Sequence, residues 1–162
     1  MNDLRFQKKL SKAKIYAYRL LTYRSRSCME MMERLKRKGF SERIIASVIN
    51  DLKEFNYLDD REFSRMFVET RFSANPCGRK LIEQELMKRG VEEGIIRDTC
   101  EEAFIGGKEY ELASALAARK LSRYKGLDVK TKWNRLFGLL CRRGFPLGVV
   151  KEILSEVLSN EI

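Results

Sequence analysis

Histidine is absent from this chain. Without it neither a Ser-His nor a Cys-His nucleophile can be assembled, and the usual general base near neutral pH is missing. The glycine-rich phosphate and dinucleotide signatures, Gly-x-x-x-x-Gly-Lys-Ser/Thr and Gly-x-Gly-x-x-Gly, are missing as well. Cysteine is sparse and scattered: Cys28, Cys77, Cys100 and Cys141 form no Cys-x-x-Cys pair. A four-thiolate zinc site needs closely spaced pairs, and disulfides need an oxidising compartment, so reduced thiols are expected, some of them in the core. The one close acidic pair off the helix-face patterns, Asp59-Asp60, falls where a helix should begin, and helix capping accounts for it better than metal binding. A metal-dependent nuclease would need converging carboxylates, but Asp59, Asp60, Glu83 and Glu85 fall on different expected helices. No catalytic residue, metal ligand or cofactor is therefore expected, and the chain is read as a binding protein rather than an enzyme.

Long apolar runs are lacking too. None approaches the roughly 18 residues of a membrane span. Met1-Asn2-Asp3-Leu4-Arg5 is not followed by the apolar stretch of a secretory signal, so the cytoplasm is the expected compartment, with no membrane partner. What is abundant is positive charge. The 162 residues carry 33 Lys and Arg against 23 Asp and Glu, a net of +10, while 44% of the chain is hydrophobic. That apolar share is enough to build a core, and the charge is the signature of a protein that meets a polyanion.

The strongest internal signal is a repeat. Leu35-Lys36-Arg37-Lys38-Gly39-Phe40, Leu86-Met87-Lys88-Arg89-Gly90-Val91 and Leu140-Cys141-Arg142-Arg143-Gly144-Phe145 share leucine, a variable residue, two basic residues, glycine and an apolar residue. After each glycine, apolar positions recur at helical period: Ile44-Ile45, Val48-Ile49 and Leu52; Ile95-Ile96, Thr99-Cys100 and Ala103; Val149-Val150, Ile153-Leu154 and Val157. Met31, Ile82 and Leu136 lie two turns before the glycines. Further upstream Ala17, Leu21 and Arg24 correspond to Ser64, Val68 and Arg71, then to Ala113, Ala117 and Lys120. Ser27 with Glu30 reads as a capping box and Asp59 with Glu62 as a near equivalent. Each repeated glycine suits a left-handed helix end, and Pro146 the first turn of the next helix.

These signals predict helices at 11–24, 28–38, 42–56, 60–73, 79–89, 92–104, 109–123, 130–143 and 146–159, with loops at 75–78 and 124–128 and a joint at Gly106-Gly107. The expected fold is all-α: an N-terminal extension, 1–10, then three tandem three-helix repeats at 11–58, 59–106 and 107–162. Repeats too small to bury much surface alone share a core with their neighbours, which predicts an elongated, curved helical array.

Charge divides unevenly. Residues 1–58 hold 14 Lys/Arg and 6 Asp/Glu; residues 59–106 hold 8 and 11; residues 107–162 hold 11 and 6. Two groups are candidate polyanion contacts: Arg24, Arg26, Arg34, Lys36, Arg37 and Lys38; and Arg119, Lys120, Arg123, Lys125, Lys130, Lys132, Arg135, Arg142 and Arg143. Some of these cations also complement helix dipoles at helix C-termini. That account leaves the excess at 125–135 unexplained, and polyanion contact explains the whole better. The interleaved Tyr16, Tyr18, Tyr23, Tyr124 and Trp133 fit core packing more readily than base stacking.

Several segments carry a family likeness. Ala17 to Ser27, Leu35 to Gly39, and Phe55-Asn56-Tyr57-Leu58-Asp59-Asp60-Arg61-Glu62-Phe63 are similar to the opening of the RecX regulatory proteins. Arg71, Gly78, Ile82, Glu85-Leu86 and Lys88-Arg89-Gly90-Val91 continue the resemblance, which spans about residues 11–158; Ser64 departs from the family's frequent alanine. The resemblance implies a bacterial cytoplasmic protein of three three-helix repeats. It would bind the RecA recombinase filament on single-stranded DNA, in its groove or at its growing end, and restrain ATP hydrolysis and strand exchange in DNA repair, homologous recombination and the SOS response. Binding as a monomer to single- and double-stranded DNA, weakly and without sequence preference, goes with that picture. The alternative from another class is a helix-turn-helix regulator reading duplex sequence through the turns at Lys38–Ser41 and Arg89–Glu92. Against it, the helix after the first turn is apolar at Ile44, Ile45, Val48 and Ile49, with few side chains suited to base edges.

Overall fold

The structure, a computed structural model, describes residues 2–159; the remainder of the expected first and last segments, residue 1 and residues 160–162, lies outside the described residues. Among the described residues there are nine α-helices and no strand. They are α1 (Asn2–Tyr23), α2 (Cys28–Arg37), α3 (Glu42–Glu54), α4 (Asp60–Ala74), α5 (Arg79–Lys88), α6 (Glu93–Ala103), α7 (Lys108–Leu121), α8 (Val129–Arg142) and α9 (Leu147–Ser159). The fold is therefore all-α, as its periodicity predicts. Eight helices begin and end within two residues of expectation. The ninth, α1, starts at Asn2 rather than at residue 11. Phe6 and Leu10 pack against the core, so the segment expected as an extension has an apolar stripe of its own and continues the helix.

The periodic positions form the core. Met31, Leu35, Ile82, Leu86, Leu136 and Leu140 are fully buried, as are Ala17, Ser64 and Ala113, small residues at matching places on the first helix of each repeat. Contacts group the nine helices into two compact units. One comprises the residues up to Arg65 with Leu86–Ile96; the other comprises Met66–Glu85 and the residues from Arg97 onward. In the first, α1 and α2 pack on α3 around Ala13, Met31, Leu35, Ile44, Val48 and Leu52. In the second, α7 and α8 pack on α9 around Leu116, Leu136, Leu140, Val150, Ile153 and Leu154. The middle helices α4, α5 and α6 contribute to both units. At the joint after α6, Gly106 and Gly107 take left-handed conformations around a short 3-10 turn.

The repeated glycine motif has a concrete structure. Gly39, Gly90 and Gly144 have φ of 88°, 70° and 78°, each just past a helix. The amides of Gly39, Gly90 and Gly144 donate to the carbonyls of Lys36, Met87 and Cys141; those of Phe40, Val91 and Phe145 donate to Leu35, Leu86 and Leu140. This paired pattern is the Schellman helix end, which satisfies two orphan carbonyls and needs a residue without Cβ strain at the turn. The leucine, the glycine and the apolar residue after it are thus the parts of one helix terminus.

In two repeats that terminus also docks on the start of an earlier helix. Within the first unit, the Ser27 hydroxyl donates to the carbonyl of Arg89 at 2.6 Å, and the Cys28 amide donates to Asp60 at 2.8 Å. Within the second unit, the Gly78 amide donates to the carbonyl of Arg143 at 2.9 Å, and the Arg79 amide donates to Glu109 at 2.7 Å. Both junctions use the same parts: a carbonyl from the later helix end, and a carboxylate from the first turn of the following repeat, set against the exposed amides of a helix N-terminus. Asp59 meanwhile accepts from the amides of Arg61 and Glu62, so the acidic pair caps two different helices. Packing is close. A Cβ on Gly90 would collide with the side chain of Met29, one on Gly144 would lie 2.8 Å from the Cβ and amide nitrogen of Leu81, and one on Gly78 would strike the Gly144 carbonyl.

Alanine at the three repeated glycines should therefore not cost the same. At Gly39, where an added Cβ meets nothing within 4 Å, the loss should be about 1 kcal/mol, from the left-handed conformation alone. Gly90→Ala and Gly144→Ala should lose clearly more, and Gly78→Ala should destabilise although its φ is ordinary. Urea unfolding of the four variants checks this; equal losses at Gly39 and Gly144 would contradict the close-packed junction.

Candidate functional site

The first group of cations surrounds α2. That helix begins at Ser27, whose hydroxyl accepts from the Glu30 amide while the Glu30 carboxylate accepts from the Ser27 amide, the expected capping box. Arg24 grips the same carboxylate with both terminal nitrogens, at 3.0 and 3.2 Å, and Arg89 lies 3.8 Å away. Burial pushes the Glu30 carboxyl up, but Arg24 and the capping amide outweigh it and hold the group below its ordinary range. Arg34 and Lys36 are exposed on the outer side of α2; Arg37, also exposed, pairs with Glu33 at 3.2 Å, and Lys38 lies 5.6 Å from the centre of the Tyr16 ring.

Arg26 differs from the rest of its group. It is only 8% exposed, because the short loop between α1 and α2 turns it inward beside the fully buried Ser27. Burial, and then the neighbouring Arg24 and Arg34, push its guanidinium below the ordinary value. It is not presented to solvent as a surface cation would be.

The second group lies in the second unit. Arg119 and Lys120 close α7; Arg123 and Lys125 stand in the loop to α8; Lys130, Lys132, Arg135 and Arg142 ride on α8, which starts at the Asp128 cap. Arg119, Arg123, Lys125, Lys130, Arg135 and Arg142 are exposed, whereas Lys120, Lys132 and Arg143 are half-buried. Arg135 lies 5.6 Å from the Tyr124 ring centre, and Trp133 stacks on Phe137 with ring centroids 4.7 Å apart. Arg143 belongs to the junction: its guanidinium donates to the backbone and side-chain oxygens of Asn75, and its own carbonyl receives Gly78. The two basic positions before each glycine therefore differ. The first, at Arg37, Lys88 and Arg142, faces solvent, while the second, at Arg89 and Arg143, holds the junction.

Sequence reasoning missed the junction residues Asp60, Asn75, Arg89 and Glu109 as a set, because their partners lie 30 or more residues away. The repeated glycine pattern was the available signal. It also missed the cations of α1, having assigned part of that helix to an extension. There the signal was the complete lack of Asp and Glu between Leu4 and Tyr23.

Cys28 and Cys100 are buried, and burial, followed by Asp60 for Cys28 and Glu83 for Cys100, pushes both thiols up to about 11. Cys77 is also buried and raised, whereas Cys141 is exposed. Among the described residues no group of three or more His, Cys, Asp or Glu is arranged to hold a metal ion, and no helix is long and apolar enough to cross a membrane.

The Glu30 cluster gives a pH prediction. A carboxyl held low in the folded state adds stability that is present above its unfolded value near 4.5 and is lost as pH falls through the folded value. Glu30→Gln should therefore be less stable than the parent at pH 7, with the gap closing below pH 4.5. Thermal melts at both pH values check this; a gap that persists or widens in acid contradicts the ion-pair assignment.

Comparisons with known proteins bear on the whole chain. Family models described as the first, second and third three-helix domains of RecX match residues 13–52, 59–99 and 108–154. The chain is 30% identical to a regulatory protein RecX of Mycobacterium sp. (strain JLS), covering 92% of this chain and 83% of that one. It is 28% identical to a regulatory protein RecX of Amycolatopsis mediterranei (strain U-32), covering 94% and 86%. The crystal structure of RecX from Lactobacillus salivarius has the same fold, with a TM-score of 0.78 at 24% identity over 93% of this chain and 97% of that one. With three consecutive domains matched and relatives of nearly full length, this chain belongs to the RecX family of regulatory proteins.

Proposed function

We propose that this chain binds the RecA recombinase filament on single-stranded DNA in the cytoplasm and restrains its ATP hydrolysis, growth and strand exchange. It acts as a monomer, by occupancy rather than by chemistry of its own. Membership of the RecX family across all three domains is the observation that carries the reading. The exposed cations support it: Arg34, Lys36 and Arg37 in one unit, and Arg119, Arg123, Lys125, Lys130, Arg135 and Arg142 in the other, are the surface a phosphate backbone would meet. A duplex-sequence reader is less well supported, since Ile44, Ile45, Val48, Ile49 and Leu52 of α3 are all buried in the core.

The direct test is single-strand-dependent ATP hydrolysis by the cognate recombinase. The chain should lower it when present at less than one copy per recombinase subunit. An undiminished rate at equimolar chain would refute the proposal.

Charge reversal tests the basic groups. Arg34→Glu with Arg37→Glu, or Arg123→Glu with Arg142→Glu, should weaken both inhibition and DNA binding. Stability should stay within about 0.5 kcal/mol, because these are surface sites. Arg143→Glu should instead destabilise the fold. Affinity for naked DNA should fall steeply as salt rises and be alike for two unrelated duplexes; a preference of about a hundredfold for one would favour the duplex-reading alternative.

A further inference from the structure

We infer that the outward face of α1, together with the end of α3, is a protein-docking surface whose partner presents an acidic surface with an apolar centre. The inference rests on the filament reading and deepens it by assigning the face of this chain that touches protein rather than nucleic acid.

Helix α1 has 22 residues, against 15 in α4 and 14 in α7, its counterparts in the other repeats. Its inward side is fully used: Ala13 and Ala17 are buried without residual exposure, and Phe6, Leu10, Leu20 and Leu21 pack against the core. Ile15 has no place on that side and is 68% exposed. From Leu4 to Tyr23 the helix carries Arg5, Lys8, Lys9, Lys12, Lys14 and Arg19, with no carboxylate. Lys14 is tied to Asp51 of α3 at 2.6 Å. Lys12 and Arg19, three residues before and four after Ile15, stand exposed on the same stripe, and Lys8 continues it one turn earlier.

The end of α3 extends this face. Asn56 adopts φ of 57°, with its amide bonded to the Lys53 carbonyl at 3.0 Å and the Tyr57 amide to Leu52 at 2.7 Å. This left-handed helix end fixes the backbone between Phe55 and Tyr57, which remain 64% and 56% exposed. Tyr57 meets Tyr18 edge to face, with ring centroids 5.3 Å apart, which joins the two helices' exposed side chains.

An apolar and aromatic centre inside a charged rim is the composition of a protein interface, where aromatic anchors supply affinity and rim charges select the partner. The rim that α1 supplies is cationic and favours an acidic protein, while Glu54 and Asp59 are the exposed carboxylates at the α3 end. A DNA backbone would use the lysines but gain little from Ile15, which at 68% is more exposed than Met32 beside the cations of α2 or Trp133 and Val129 beside those of α8.

The test compares two affinities of the labelled chain by fluorescence anisotropy: for RecA filaments assembled on an oligo-dT with a slowly hydrolysed ATP analogue, and for the same oligo-dT naked. Ile15→Glu with Arg19→Glu should bind filaments at least about tenfold more weakly and bind naked oligo-dT about as the parent does. Should that variant misfold by circular dichroism, Phe55→Ser with Tyr57→Ala, which leaves charge unchanged, carries the same expectation. Parent that ignores filaments overturns the filament reading itself. Parent that binds filaments, with a folded variant that binds them equally well, overturns the docking face alone. An equal loss on naked oligo-dT overturns the protein assignment and makes this face a phosphate contact.

Discussion

The architecture depends on one kind of contact made twice: a glycine-ended helix whose last carbonyl is set against a donor at the start of an earlier helix. At the end of α5 the Arg89 carbonyl receives the Ser27 hydroxyl, and at the end of α8 the Arg143 carbonyl receives the Gly78 amide. Helix starts carry unpaired donors and helix ends unpaired acceptors, so each end supplies partners to the other. Asp60 and Glu109, from the first turns of α4 and α7, each take one further amide, that of Cys28 or Arg79, with charge that the helix dipole favours. The two junctions solve one problem differently. Ser27 spans the gap with its hydroxyl, whereas Gly78 brings backbone to within touching distance of Gly144, which leaves no room for a side chain.

This contact also explains why the repeat reads as it does in sequence. Leucine buries, glycine turns left-handed, the next residue packs inward, and in the second and third repeats the basic residue just before the glycine, Arg89 or Arg143, works inside the junction. Sequence reasoning reached the helices, the glycine ends and the Ser27 capping box because all of these are local, set by period and by turn chemistry. It could not reach Arg143 as a junction residue, since its partners Asn75 and Gly78 lie more than 60 residues away and nothing local distinguishes it from Arg142. Arg26 shows the same limit. In a string of cations it looks like its neighbours, and only the turn of the loop buries it. The start of α1 was missed for another reason: Phe6 and Leu10 are a thin apolar stripe among many lysines, and their pairing with the core is tertiary.

Cations here thus do three separate jobs. Some hold structure, as Arg24 does on Glu30 and Arg143 on Asn75. Some face solvent beside helix ends, as Arg37 and Arg142 do, where dipole and polyanion both favour them. Others, on α1, frame an apolar patch. A net of +10 on the chain therefore does not by itself say which cations are free to meet a phosphate backbone: Arg26 is buried and Arg143 is held in a junction, while Arg34, Lys36 and Arg142 are exposed.

The most direct test of that account is co-sedimentation. The chain would be mixed with naked single-stranded DNA, with recombinase alone and with assembled filaments, then spun at a salt concentration that abolishes binding to the naked strand. The account predicts that the chain pellets with filaments, saturably, under conditions where DNA alone leaves it in solution. A chain that stays in the supernatant with filaments at that salt would contradict it.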